Sequence, residues 1–226
     1  MSKIKAVVFD LWNTLIPATI DFVHLRSLAK KQGMDLREFI QKYENAVELK
    51  KYKNFAELRK DFFEAFSESD NALLESELYE VYFNRFDKIR YFSEVPVVLK
   101  KLKMDGYKLA LLSNTENLYS KELDSKLKLK EYFDVICFSF DLGALKPSKV
   151  CFGSVLKKLK VKPFEALMVG DSMRSDIFGA KRAGLHNCLL NRLGKVIDTA
   201  SVRPEFEIKS LDDLPWVLGE LNAKKD

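Results

Sequence analysis

The sequence predicts an α/β fold in which a doubly wound parallel sheet carries an inserted all-α module. Two patterns indicate this fold. Short apolar runs alternate with amphipathic helical periods along most of the chain, and one long stretch contains helical periods alone. Short apolar runs bounded by polar residues or glycine are typical of buried parallel strands. Strands that alternate with helices favour crossover connections, which place helices on both faces of a parallel sheet.

The apolar runs predict five strands. They are IKAVVF (4–9), YKLALLS (107–113), FDVICF (133–138), EALMVG (165–170) and HNCLLN (186–191).

Helical periods lie between and after these strands, and they occupy residues 95–106, 148–161, 174–185 and 210–222. We expect Val97 to share the apolar face of the first helix with Val98, Leu99 and Leu102, and Val150 to stand at helical spacing with Val155, Leu156 and Leu159 in the second. Gly106 and Gly184 stand where the first and third helical periods stop, as C-terminal capping residues do.

The inserted module follows the first strand. Residues 21–90 contain no strand candidate and show four helical periods in succession. We therefore assign residues 17–90 to an all-α module, and residues 1–16 together with 91–226 to the domain that contains the sheet. The aromatic residues of the module are expected to form mainly its own core: Phe39, Phe62, Phe63, Phe66, Tyr82 and Phe83.

Composition and charge exclude several classes of function. The 226 residues carry 38 basic and 33 acidic side chains, interspersed along amphipathic segments, so most charges are expected on solvated helix faces rather than in a nucleic-acid-binding stripe. No apolar run approaches the roughly 20 residues that span a bilayer, and the first residues enter a strand without signal-peptide features. Cys137, Cys151 and Cys188 lack metal-ligand spacing and are expected to be buried free thiols. These features favour a cytoplasmic protein.

Polar side chains follow four of the predicted strands. In a doubly wound sheet, ligands bind beyond the carboxyl ends of the strands, so these side chains are expected to meet at one edge. They are Asp10 and Thr14 after the first strand, Ser113 and Asn114 after the second, Lys146 after the third, and Asp171 and Asp176 after the fourth.

This set of side chains suits phosphoryl transfer. Three acids in one cleft repel each other unless a cation neutralises them, and carboxylate oxygens are ligands that Mg²⁺ prefers. A lysine, hydroxyls and an amide facing that metal could hold the oxygens of a phosphate, while one carboxylate attacks phosphorus. Simpler roles stay open: Asp176 could complement a helix dipole, and Ser113 and Asn114 could be loop hydrogen-bonding residues.

Four motifs in this order resemble those of the haloacid dehalogenase superfamily. FDLWNT, LLSN, LKPS and GDSMRSD are similar to its motifs one to four, over residues 4–193. The resemblance implies a Rossmann-like core, a C1 helical cap formed by the inserted module, and a small phosphorylated molecule as substrate. It also implies that Asp10 is a nucleophile that forms an aspartyl-phosphate.

The resemblance further implies roles for the other motif residues. Ser113 would bind the phosphoryl group, with Thr14 supporting the first loop and Asn114 beside it. Lys146 would neutralise both Asp10 and the phosphate.

The same resemblance implies the metal site. Mg²⁺ would be held by Asp10, Asp171 and the backbone carbonyl of Trp12. Asp176 would hold a metal-bound water or orient Lys146.

Trp12 departs from the pattern of the phosphatases in this superfamily. They usually carry a second aspartate at this position, which protonates the leaving alcohol and then activates water. An indole N–H can only donate a hydrogen bond, so esters with poor leaving groups should react slowly, and acyl or aryl phosphates faster. Asn13 cannot replace the lost base, whereas Asp21 or His24 of the cap could supply it.

The same departure leaves two alternatives open. Dehalogenases of the superfamily also lack the second aspartate and place an aromatic residue there, and they need no Mg²⁺. Their fourth motif typically lacks the Gly-Asp pair that stands here at Gly170 and Asp171, so the phosphatase is favoured. A protein that binds a phosphorylated ligand without turning it over is the second alternative.

Overall fold

A six-stranded parallel sheet forms the centre of the fold. The computed structural model describes residues 3–17, 22–66, 89–118, 120–194, 196 and 202–223, with the side chains of 22–24 excepted. The strand order is β3-β2-β1-β4-β5-β6, and every neighbouring pair is parallel. The strands are β1 (Ala6–Phe9), β2 (Lys108–Ser113), β3 (Val135–Phe138), β4 (Ala166–Gly170), β5 (His186–Leu190) and β6 (Phe206–Ile208).

Ten α-helices lie within the described residues. They are α1 (Phe22–Lys31), α2 (Leu36–Val47), α3 (Phe55–Phe66), α4 (Val95–Met104), α5 (Ser120–Leu127), α6 (Leu129–Tyr132), α7 (Ser139–Leu142), α8 (Lys149–Leu159), α9 (Gly179–Ala183) and α10 (Leu214–Ala223). None of these helices is long and apolar enough to cross a membrane.

Alternation along the strands divides the core into two apolar layers. In β1, Val7 and Phe9 belong to the cluster that contains α4 and α10 residues, whereas Ala6 and Val8 belong to the cluster that contains α8 residues. Successive strand side chains point to opposite faces, so a strand buried on both faces is apolar throughout. The predicted doubly wound α/β fold, with its Rossmann-like strand order, is confirmed.

Two details of the predicted helix faces are wrong. Val97 is 68% exposed and Val150 is 55% exposed. The buried residues of α4 are Val95, Val98, Leu99 and Leu102, and this spacing leaves Val97 on the opposite side. In α8 the buried stripe likewise starts one residue later than Val150, at Cys151.

The end of the fourth motif also differs from the expected single helix. Residues Met173–Phe178 form one wide π-helical turn, and α9 follows it directly. The predicted C-terminal glycine is confirmed, because Gly184 caps α9 with a φ of 80°.

Helices α1–α3 have an apolar cluster of their own. Phe39, Phe62 and Phe66 are buried at its centre, and the Phe62 and Phe66 ring centroids are 4.5 Å apart. Asp35 caps α2 by accepting a 2.8 Å hydrogen bond from the N–H of Glu38. Tyr82 and Phe83, which were expected to join this core, lie outside the described residues. The division at residues 17–90 stays a prediction.

The three cysteines are free and buried, as expected. Strand β6 was not predicted, because it is only three residues long and has the exposed Glu207 at its centre. The short helices α5, α6 and α7 were not predicted either, since each is too short to show a clear helical period.

Candidate active site

The loop after β1 turns back on itself directly behind Asp10. The N–H groups of Leu15 and Ile16 both donate to the carbonyl of Leu11, at 2.9 and 3.1 Å, and Asn13 has a φ of 58°. Asp10 itself donates its N–H to Val169 of β4 at 3.0 Å, so the strand pairing fixes its backbone. The turn therefore holds the Asp10 side chain at the carboxyl edge of the sheet.

Thr14 is fully buried within this turn. Its hydroxyl forms no hydrogen bond with any residue that the structure describes. Its carbonyl accepts a 2.8 Å hydrogen bond from Arg192, whose guanidinium also pairs with Glu94 at 2.6 Å. The contact with Arg192 ties the first loop to the segment that follows β5.

Lys146 lies between two of the predicted acids. Its ammonium donates to Asp10 at 2.6 Å and to Asp176 at 2.7 Å, and its side chain is 2% exposed. Burial alone would lower the pKa of Lys146, but the negative charges of Asp10 and Asp176 outweigh burial and raise it. Lys146 is therefore a permanent buried cation beside the predicted nucleophile.

Both carboxylate oxygens of Asp176 have donors from the protein. Oδ1 accepts from Lys146, and Oδ2 accepts a 3.0 Å hydrogen bond from the N–H of Ser172. Gly170 makes this position possible, because a Cβ atom at residue 170 would overlap the Asp176 carboxylate. The end of β4 and the π-helical turn thus fix Asp176 so that it orients Lys146.

Asp10, Asp171 and Asp176 form a cluster that could hold a metal ion, since one oxygen from each lies within 4.8 Å of the others. Burial raises the pKa of Asp171 to about 8, the charges of Asp10 and Asp176 add to this, and Lys146 and the Asn13 side chain oppose it. Burial also raises the pKa of Asp10 to about 6 against the pull of Lys146. Burying these acids close together costs electrostatic energy, and a bound divalent cation would offset that cost. Mg²⁺, which prefers oxygen ligands, fits such a cluster.

A hydrogen-bonded chain connects Trp12 to Ser113. The indole N–H of Trp12 donates to the hydroxyl of Thr115 at 2.8 Å, and this hydroxyl shares a 3.1 Å hydrogen bond with that of Ser113. Thr115 is held in turn by Ser139, whose hydroxyl accepts from the Thr115 N–H at 3.0 Å. The motifs did not indicate Thr115 or Ser139, because both lie outside the motif positions.

Asn114 links the loop after β2 to Lys146 and to helix α2. Its Oδ1 accepts a 2.9 Å hydrogen bond from the backbone N–H of Lys146. The Asn114 side chain also lowers the pKa of Glu44, in α2. Asn114 therefore fixes the backbone of Lys146 and also lies near helix α2.

Glu44 lines a cavity of about 520 Å³ between α2 and the carboxyl edge of the sheet. Lys146, Pro147 and Arg174 line it from the sheet side, and Arg174 donates to Gln41 of α2 at 2.9 Å. No motif or spacing indicated Glu44, because an acid on a helix beside a buried stripe is ordinarily a solvated charge. Here its side chain is partly buried and lines the same cavity as Lys146.

The structure thus brings Asp10, Lys146, Asp176 and Asp171 into one cluster, with Ser113 and Asn114 in the next loop. It turns the Trp12 side chain towards Thr115 and buries Thr14 within its own turn. Asp21 and the side chain of His24, the two suggested replacement bases, lie outside the described part of the chain.

Comparison with known proteins agrees with this arrangement. Residues 4–184 match the family described as haloacid dehalogenase-like hydrolase. Glyceraldehyde 3-phosphate phosphatase from Pyrococcus furiosus is 29% identical over an alignment that covers 99% of this chain and 95% of that protein.

Two solved structures share the fold over nearly their whole length. The HAD phosphatase from Thermococcus onnurineus has a TM-score of 0.64 and 26% identity, covering 96% of this chain and 98% of that chain. The 2-haloacid dehalogenase from Pseudomonas syringae pv. Tomato has a TM-score of 0.65 and 27% identity, covering 96% and 99%. With its four motifs folded around one cluster of acids and a lysine, the chain belongs to the haloacid dehalogenase-like hydrolases.

Proposed function

We propose that this hydrolase is a Mg²⁺-dependent phosphatase that acts on a small phosphorylated metabolite through an aspartyl-phosphate on Asp10. The observation that carries the proposal is the position of Lys146, which is 2.6 Å from Asp10 and 2.7 Å from Asp176 in a cluster that includes Asp171. A fixed cation beside a carboxylate nucleophile is what attack on a phosphate dianion requires. The similarity to a named phosphatase over nearly the whole chain supports the same reaction.

The metal would be held by Asp10, Asp171 and the backbone carbonyl of Trp12. When bound, Mg²⁺ would neutralise charge on the phosphate oxygens. We assign Asp176 to the orientation of Lys146 rather than to direct coordination, because both of its carboxylate oxygens already accept hydrogen bonds from protein groups.

The chain's own residues would perform the transfer in a fixed order. Ser113, Asn114 and Lys146 would hold the phosphate, and an Asp10 carboxylate oxygen would attack phosphorus opposite the leaving oxygen. Lys146 would offset the negative charge that collects between Asp10 and the phosphate. Water would then cleave the Asp10–phosphate bond and release inorganic phosphate.

We infer that residues 17–90 are a cap over this site, as the motif resemblance implies. Helices α1–α3 have their own apolar cluster, and polar contacts join the described part of residues 17–90 to the sheet domain. They include Arg174 to Gln41 at 2.9 Å, the reciprocal pair of Tyr52 and Asn117 at 2.7 and 2.8 Å, and the ion pair of Lys51 and Asp141 at 2.6 Å. A cap over a cavity of about 520 Å³ favours a metabolite over a protein substrate. We expect the enzyme to act in the cytoplasm, and its three free thiols support this.

The first test is hydrolysis of p-nitrophenyl phosphate and acetyl phosphate, with Mg²⁺ and with EDTA. We expect phosphate release that requires Mg²⁺ and is lost in Asp10→Asn, which keeps the size of the side chain but removes the nucleophile. Activity that survives in Asp10→Asn would refute the aspartyl-phosphate. No activity on any phosphate would favour the alternative of a phospho-ligand-binding protein without turnover.

A 2-haloacid dehalogenase is the second candidate, and one observation favours it. Trp12 places an aromatic residue at the position where those enzymes carry one, and a solved dehalogenase is 27% identical to this chain. The cluster of three acids argues against it, because a halide leaves without protonation or metal. Chloride release from chloroacetate in the presence of EDTA would establish the dehalogenase, and its absence would dismiss it.

A further inference from the structure

We propose that Glu44 of helix α2 supplies the general acid–base group that the first motif lacks because of Trp12. This inference rests on the proposed phosphatase activity. It assigns a catalytic role to a residue outside the four motifs.

The position of Glu44 carries the proposal. The side chain lines the cavity that Lys146 and Arg174 line from the opposite side, and Asn114 lies close enough to lower the pKa of its carboxyl group. Asn114 is itself fixed, because its Oδ1 accepts the backbone N–H of Lys146 at 2.9 Å. The Glu44 carboxyl therefore lies near the loop that carries Ser113 and Asn114.

The direction of attack places the leaving group on the same side as Glu44. Asp10 follows β1 directly, so a phosphate can approach it only from the carboxyl edge of the sheet. In-line displacement puts the leaving oxygen opposite the attacking Asp10 oxygen, and therefore towards the cavity and α2. Lys146 lines this cavity and donates to Asp10 at 2.6 Å, so the cavity adjoins the predicted nucleophile. We therefore place the Glu44 carboxyl on the leaving-group side, whereas the Trp12 side chain donates to Thr115.

The surroundings of Glu44 suit proton transfer in both directions. Burial raises the pKa of Glu44 to about 7, and the negative charge of Asp10 adds to this. Lys146, Asn114 and Arg174 lower the pKa of Glu44 and so keep its carboxylate form accessible. A group that titrates near neutral pH is the most effective acid–base catalyst at that pH.

The proton balance of the two steps is complete. In the first, an Asp10 oxygen bonds to phosphorus, the bond from phosphorus to the leaving oxygen breaks, and protonated Glu44 gives its proton to that oxygen. In the second, the Glu44 carboxylate takes a proton from water as the water oxygen bonds to phosphorus and the Asp10–phosphorus linkage breaks. The products are an alcohol and inorganic phosphate, and Glu44 is protonated again.

The test compares Glu44→Gln with the wild type on an aryl and an alkyl phosphate. Glu38→Gln is the matched control, because it removes an exposed acid from the same helix. For p-nitrophenyl phosphate, whose leaving group needs little protonation, we expect kcat/KM to change by less than about 5-fold, whereas for glycerol phosphate it should fall by about 10²–10⁴-fold. Glu44→Asp should recover part of this loss because it retains a carboxyl group.

The second step gives an independent readout. Without the base, hydrolysis of the aspartyl-phosphate becomes slow, so Glu44→Gln should release a burst of about one p-nitrophenol per enzyme before a slow steady state. Equal losses of kcat/KM on both substrates, or the absence of a burst, would overturn the role of Glu44. A wild type that hydrolyses neither ester would instead refute the proposed function, and with it this inference.

Discussion

The indole N–H of Trp12 donates a 2.8 Å hydrogen bond to the hydroxyl of Thr115. Thr115 shares a further hydrogen bond of 3.1 Å with Ser113, the hydroxyl that we assign to the phosphate. With tryptophan at position 12, the first loop lacks the second aspartate of the related phosphatases. The same side chain connects this loop to the one after β2. Trp12 is in this respect a positioning residue, which acts on the phosphate site through Thr115.

Trp12→Phe should lower kcat/KM for p-nitrophenyl phosphate by about 2- to 10-fold, because one hydrogen bond in the chain to Ser113 is lost. Thr115→Val should have an effect of similar size. Since both substitutions break the same link, the double variant should lose little more than either single one. Steady-state kinetics on the four proteins measures this coupling, and strictly additive losses would show that Trp12 and Thr115 act separately.

The sheet and the acid cluster could be predicted from the sequence because both depend on local patterns. The strand β1 is a continuous apolar run and ends at Asp10, and the fourth motif places Asp171 and Asp176 directly after β4. Parallel strands bring such loops to one edge, so the neighbours of Lys146 followed from strand order alone.

The contacts that cross from one module to another could not be predicted in this way. Glu44 follows the buried Tyr43 in α2, and nothing in its spacing tells which part of the sheet domain faces that side of the helix. Thr115 was missed for a related reason, since its partner Trp12 is 103 residues away in the sequence. Such pairs depend on packing angles between elements, which a single sequence does not specify.

Gly170→Ala should abolish most of the phosphatase activity. The added methyl group would overlap the Asp176 carboxylate, which must then move away from Lys146 and from the N–H of Ser172. We expect kcat to fall by at least about 100-fold and the free energy of unfolding to fall by about 1–3 kcal/mol, the range observed for overpacked cores. Kinetics and urea unfolding measure the two effects.

Gly219→Ala is the control for this substitution. Gly219 is an exposed residue of α10, and a Cβ atom there would have no heavy atom within 4 Å. Alanine should therefore stabilise the helix by about 0.5–1 kcal/mol and leave activity unchanged. Wild-type activity in Gly170→Ala would contradict the positioning role of Asp176.

Mg²⁺ should raise the melting temperature of the wild-type protein, because an ion bound only by the native state stabilises it. Asp171→Asn should remove most of this shift, since a neutral amide replaces one of the three clustered carboxylates. Asp105→Asn, at an exposed position after α4, should keep it. Thermal unfolding with and without Mg²⁺ measures binding without any substrate. An unchanged shift in Asp171→Asn would place the metal elsewhere.

The stability of the wild type relative to Glu44→Gln should depend on pH in a defined direction. Glu44 has an ordinary pKa of 4.5 and a folded-state pKa of about 7, so the native protein binds more protons than the unfolded chain between these values. The free energy of unfolding should therefore decrease as pH rises through this window, by about 1–3 kcal/mol relative to the variant, after allowance for partial exposure.

Urea unfolding of both proteins at pH 5 and pH 8 measures this difference, and groups that titrate equally in both proteins cancel from it. Glu38→Gln, which removes an exposed charge from the same helix, separates a local effect from a change in net charge. A wild-type protein that loses no stability relative to Glu44→Gln between these pH values would show that Glu44 is not held in the buried environment beside Asn114. Such a result would also remove the physical basis for its role as an acid at neutral pH, because a solvated glutamate is almost fully ionised there.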